Sequence, residues 1–171
     1  HFVQQVYTDE EADLKETGEI LFECDHRLKW TYLEPDFKIF LLEGDNYRFY
    51  DEDNEQLLIG KVKDRGRQWV WLLLFSDGLT RDYQVTWDEH RRALHIKNRV
   101  PTPAGDDTGT DTLDIEIEIN DSFLPEKVLQ GDPSGARIIY FFRDYKPKIE
   151  ISPETFRLKV PEEVEIIREE T

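Results

Sequence analysis

Cysteine occurs once in the 171 residues, as Cys24, which excludes an internal disulfide and any C-x-x-C redox or metal motif. Long apolar runs are also missing. The longest, Trp69 to Phe75, falls well short of the ~18 residues that a bilayer-spanning helix needs. Cations are scarce: Lys and Arg total 22 against 38 Asp and Glu, a formal net charge of −16. Phosphate backbones and anionic bilayers repel such a surface, so neither a nucleic-acid partner nor stable membrane association is expected. The four histidines, His1, His26, His90 and His95, reproduce no metal-ligand spacing. Asp51-Glu52-Asp53 resembles the start of a calcium loop, but Gln56 stands where that loop needs Gly and Val62 where it needs Glu. No Ser lies in G-x-S-x-G and no Gly-rich phosphate cradle occurs. With 38 carboxylates some pair always lies close, so proximity alone identifies no acid/base couple. The expectation is a protein with no catalytic residues, no metal and no cofactor.

What remains is a chain long enough for a single domain over residues 1–171 that buries roughly 70% of the surface its unfolded form exposes. Short β-branched and aromatic stretches alternate with turn signals such as Glu34-Pro35-Asp36, Glu43-Gly44-Asp45-Asn46 and Asn120-Asp121. That punctuation predicts an antiparallel meander of about eleven strands, near 18–24, 28–34, 37–43, 46–51, 55–62, 82–87, 92–98, 112–119, 123–130, 135–144 and 155–160. Leu113 to Ile119 alternates apolar with acidic residues, the mark of a sheet with one wet and one dry face. Phe37–Leu42 and Ile138–Phe142 are apolar at both parities and so predict cover on both faces. Gln68–Phe75 lacks alternation and runs into Ser76-Asp77-Gly78, which suits a short buried helix, with a core strand as the rival. Pro101–Thr110 reads as an exposed loop, and Cys24, inside a predicted strand, as a small hydrophobe rather than a nucleophile. The opening Phe2–Tyr7 reads as the end of a segment, which predicts an upstream piece.

Several motifs occur in a particular order. Gly18-Glu-Ile-Leu-Phe is followed by Leu28-Lys-Trp30-Thr-Tyr32-Leu-Glu-Pro35, then by Glu43-Gly44-Asp-Asn-Tyr47-Arg-Phe49-Tyr50-Asp51, then by Glu55-Gln56. Phe2-Val3-Gln4 precedes them; Gly131-Asp-Pro-Ser-Gly135 and Phe156-Arg-Leu158-Lys-Val160-Pro161-Glu-Glu-Val164-Glu-Ile166-Ile167 close the series. Taken together, the order resembles the LolA family of periplasmic outer-membrane lipoprotein carriers over most of the chain. The resemblance implies a mainly β (α+β) fold: a curved, incomplete antiparallel β-barrel whose concave face is covered by short helices. It implies a hydrophobic cavity for acyl chains between the two, a periplasmic location and a monomer. It also implies two partners, a LolCDE-type ABC exporter as donor and a LolB-type outer-membrane acceptor. Members of the family often carry Arg-Pro ahead of the aromatic-x-Trp; here Cys24-Asp25 stands at that place.

Strand parity then nominates the acyl-binding side chains. Leu28, Trp30 and Tyr32 share one face of a strand and Phe37, Ile39 and Leu41 one face of the next. Phe49 follows on a third, and Trp71, Leu74 and Phe75 are assigned to the lid. Tyr83, Val85, Trp87, Ile115 and Ile117 complete the set. Two other readings remain open: the same architecture used as a sensor or interaction module, and, ranked last, an enzyme acting on lipid or glycan.

Overall fold

The computed structural model describes residues 1–8, 12–23, 27–61, 83–98, 114–131, 135–147 and 150–169. Among these residues there are twelve strands and one short helix. The strands are β1 (Phe2–Tyr7), β2 (Ala12–Glu23), β3 (Arg27–Glu34), β4 (Lys38–Glu43), β5 (Asn46–Asp51), β6 (Gln56–Lys61), β7 (Tyr83–Asp88), β8 (Ala93–Asn98), β9 (Asp114–Ile119), β10 (Pro125–Gly131), β11 (Arg137–Phe142) and β12 (Glu165–Arg168). The helix is a 3-10 turn, Pro153–Phe156, capped by the Ser152 side chain, which accepts from the Glu154 N–H.

The chain divides into two compact units. Unit one comprises His1–Phe2, Glu16–Asp64 and Asp144–Thr171; unit two comprises Val3–Lys15 and Arg65–Arg143. In unit one the strand order is β12-β6-β5-β4-β3-β2, antiparallel throughout except where β12 joins β6 in parallel. A two-residue turn at Gly44-Asp45, with Gly44 at φ 60°, links β4 to β5, since Glu43 opposes Asn46. The 3-10 helix lies on the face of β3 that carries Arg27 and Lys29. Lys29 Nζ donates to the Thr155 carbonyl at 3.1 Å, and the Arg27 guanidinium sits 4.6 Å from the centre of the buried Phe156 ring.

Unit two has the order β1-β11-β10-β9-β8-β7, and its β7 to β11 register separates the two faces cleanly. Ile96, Ile115, Ile117, Val128 and Tyr140 point one way and are buried. The other face is salted with ion pairs: Lys127 to Glu118 at 2.8 Å, Lys97 to Asp114 at 3.1 Å, and Arg91 bidentate on Glu116. This is the one-wet, one-dry pattern that the Leu113–Ile119 alternation predicts. The exposed pairs add at most ~1 kcal/mol each.

The expected curved, incomplete barrel with a helical cover is not what forms. In each unit the strand order is linear, and the two strands that end it, β12 and β2 in unit one and β1 and β7 in unit two, do not pair with each other, so neither run closes on itself. The only helix among the described residues is the four-residue 3-10 turn. The helical cover is what the family resemblance implies; strands apolar at both parities require only that something cover each face. On β3 that cover is the 3-10 helix. Of the eleven expected strands, 155–160 is instead this helix and an extended tail, while β1 and β12 are not among the eleven. The helix expected at 68–75, the loop at 101–110 and Cys24 lie outside the described residues.

Candidate functional site

Hairpin geometry decides which side chains can meet. Between β3 and β4 the turn is three residues, Pro35–Phe37, and the register sets Leu28 opposite Leu42, Trp30 opposite Phe40 and Tyr32 opposite Lys38. Cross-strand partners share a face. Across β5 the same face continues through Tyr47 and Phe49, and across β6 through Leu58 and Gly60. On β2 it takes in Phe22, Ile20 and Gly18. The result in unit one is an unbroken aromatic and aliphatic face.

Of the expected site residues, Leu28, Trp30, Tyr32 and Phe49 belong to this face. Ile39 and Leu41 do not: they oppose Thr31 and Lys29, continue into Tyr50 and Arg48, and occupy the face on which the 3-10 helix lies. Phe37, in the turn before β4, shares their parity. In unit two, Tyr83, Val85, Trp87, Ile115 and Ile117 all fall on the dry face, where Val85 opposes Ile96, Trp87 opposes Leu94, and Ile115 and Ile117 oppose Ile96 and Leu94. Ile115 and Ile117 are buried, whereas Trp87 is 47% exposed. Trp71, Leu74 and Phe75 lie outside the described residues. Phe22, Phe40 and Leu42 are not among the expected residues: the expected strands 28–34 and 37–43 leave two turn residues, whereas the structure has three. An odd-numbered turn pairs even positions with even ones.

Phe2 anchors the unit-one face. Its ring meets Trp30 edge-on at 5.1 Å and Tyr32 edge-on at 5.2 Å, while Trp30 and Tyr32 stack at 6.0 Å and Phe40 stacks on Tyr47 at 5.8 Å. Two glycines make room. A Cβ at Gly18 would lie 2.0 Å from the Thr31 carbonyl oxygen and 2.8 Å from the Phe2 ring; one at Gly60 would lie 2.8 Å from the Tyr47 ring. At the margin of the face Lys38 Nζ donates to the buried Glu16 carboxylate at 3.0 Å. The far margin is open, with Phe22 47% exposed.

Tyr47 is distinctive electrostatically. Burial, then its hydrogen bond to Glu169 and that carboxylate's charge, push its phenol up to about 12. Because the folded value is raised, the stability tied to the neutral phenol is complete below pH 10 and is lost as pH rises from there through about 12. In an alkaline absorbance titration Tyr47→Phe should therefore delete a late-titrating step; an unchanged curve would show that this phenol is not held by Glu169. Among the described residues no group of three or more His, Cys, Asp or Glu is arranged to hold a metal ion. No helix among them is long and apolar enough to cross a membrane.

Comparison with known proteins accords with the motif order. The family model described as "Outer membrane lipoprotein carrier protein LolA" matches residues 1–159. An outer-membrane lipoprotein carrier protein of Chromohalobacter salexigens is 28% identical over 145 residues, covering 84% of this chain and 66% of its own. Its counterpart in Pseudoalteromonas translucida is 26% identical over 168 residues, covering 96% of this chain and 77% of its own. That of Pseudomonas aeruginosa is 26% identical over 162 residues, covering 91% and 74%. The chain thus spans just under two thirds of the first relative's length. Among solved structures, an uncharacterized conserved protein from Thermus thermophilus superposes with a TM-score of 0.51 at 12% identity, over 98% of this chain and 88% of that one, a likeness of fold alone. With the model matched across nearly all of it, the chain belongs to the LolA family, whose members are periplasmic carriers and not enzymes.

Proposed function

We propose that this protein carries lipid-modified proteins through the periplasm, holding their acyl chains against the aromatic face of unit one. The observation that carries the reading is the continuity of that face: Leu28, Trp30, Tyr32, Phe40, Phe49 and Phe22 lie side by side across four strands. The need for a carrier is physical. Burying an acyl chain is worth ~0.8 kcal/mol per methylene, so two or three long chains hold a lipoprotein in a membrane by tens of kcal/mol. Crossing water unaided is negligible at that cost. A carrier must offer dry surface of comparable area, must grip more weakly than the next acceptor, and needs no covalent step. The family suggests an ABC exporter of the LolCDE type as donor and a LolB-type outer-membrane acceptor.

Leu28 and Trp30 are buried, so a charge there would disturb the fold along with any binding. Phe22 is the better probe, being on the same face and half exposed. Phe22→Glu should alter stability by less than ~1 kcal/mol and weaken uptake of a triacylated lipoprotein at least tenfold. Full uptake by the folded variant would refute the assignment of the acyl site to this face.

A further inference from the structure

In unit one the outer edge of β6 is closed by a weak neighbour. β12 is four residues long, all exposed, and pairs in parallel, the less stable geometry. Two main-chain bonds flank the pairing, Glu165 N–H to the Glu55 carbonyl at 2.9 Å and Glu169 N–H to the Ile59 carbonyl at 3.0 Å. Two side-chain clasps reinforce it: Gln56 Nε2 donates to Glu165 Oε2 at 2.9 Å, and the Tyr47 hydroxyl bonds Glu169. Little apolar surface is buried in return, since Ile166 is 51% and Ile167 36% exposed.

We propose that β12 is a displaceable strap over a self-pairing edge, and that the occupant taking its place is β6 of a second copy of this chain. The residues of β6 that face outward are fixed by the bonds to β12. Glu55 and Ile59 offer their carbonyls to it, so Leu57 and Lys61, at the same parity, also turn their main-chain groups that way. Two β6 strands laid antiparallel about Leu58 then bring Leu57 of one against Ile59 of the other as hydrogen-bonded pairs, with apolar side chains matched on both faces. The same register brings Glu55, the left-handed turn residue (φ 51°) that leads into one β6, beside Lys61, at the end of its mate, twice over. Shifting it by two residues in either direction sets a charge against Leu57 or Ile59 instead. The edge is therefore self-complementary in one antiparallel register, and antiparallel pairing outcompetes the parallel strap once the strap is loosened. This inference is independent of the carrier reading.

Sedimentation velocity on the full chain tests it. The unmodified protein is expected to be monomeric. Ile167 lies midway between the two donors Glu165 and Glu169, so its N–H also faces β6, and Ile167→Pro removes that donor. The variant should self-associate at least tenfold more tightly than the unmodified chain. Adding Lys61→Glu should return it to monomer, and adding Glu55→Lys to that pair of changes should restore the dimer. Should Ile167→Pro lose its far-ultraviolet strand signal, Tyr47→Phe serves in its place: it keeps the ring over Gly60, drops only the hydroxyl clasp, and must show the same charge-dependent dimer. A folded variant that remains monomeric, a dimer indifferent to the charge exchange, or an unmodified chain that already dimerises would each overturn the proposal.

Discussion

Gly18→Ala is expected to cost unit one at least ~3 kcal/mol, more than most single methyl insertions. The methyl would stand 2.0 Å from the Thr31 carbonyl oxygen, a main-chain atom fixed by the β2–β3 ladder, and 2.8 Å from the Phe2 ring. The ring cannot give way cheaply, since it is held edge-on by both Trp30 and Tyr32. Denaturant unfolding with near-ultraviolet circular dichroism would measure the loss and the disturbed aromatic packing together. Phe2→Leu in the same chain should not rescue it, because the carbonyl remains the nearer obstacle. A penalty under ~1 kcal/mol, or full rescue by Phe2→Leu, would show that the irregularity between Thr17 and Gly18 lets β2 move aside.

Lys38→Met should cost ~3 kcal/mol, because it strips the ammonium from a carboxylate that is almost wholly buried. Lys38→Met combined with Glu16→Gln should recover most of the loss, since the damage lies in an uncompensated charge and not in a missing contact. Burial of the Lys38 ammonium by itself would lower its pKa. The hydrogen bond that its ammonium donates to Glu16 and the charges of Glu16, Asp36 and Asp51 outweigh that and hold it above the ordinary lysine range. With the folded value raised, the pair's contribution is complete below pH 10.5 and is lost as pH rises through the folded value. Chemical denaturation at neutral pH of the unmodified chain, Lys38→Met, Glu16→Gln and the double variant would decide the matter, and additive losses in the double variant would refute the coupling. By contrast, breaking the exposed pair Lys97–Asp114 should be nearly silent.

Ten of the twelve strands are legible in the sequence because turn residues and alternation are local signals. β1 reads from sequence as the end of a segment, because Phe2-Val3-Gln4 matches a family pattern that follows a helix. β12 is hidden by its composition: four exposed residues carry no burial pattern to read. The site is half legible. In unit two strict alternation puts Tyr83, Val85, Trp87, Ile115 and Ile117 on one face, and the register does the same. In unit one Phe37–Leu42 is apolar at both parities, so side-chain chemistry cannot say which half faces Trp30. Only the hairpin register can. The helical cover is a different kind of error. It comes from a family likeness and from the need to cover two faces, and that need names no particular element to meet it.

The short connection from Glu34 to Lys38 also governs which length changes this protein can tolerate. One residue inserted or deleted there would turn β4, β5 and β6 over as a block, sending Tyr50 and Leu57 to where Phe49 and Leu58 now lie. A change of two would leave every face in place. Viable sequences should accordingly differ at this bend by even numbers of residues, or carry a compensating bulge in the strand that follows.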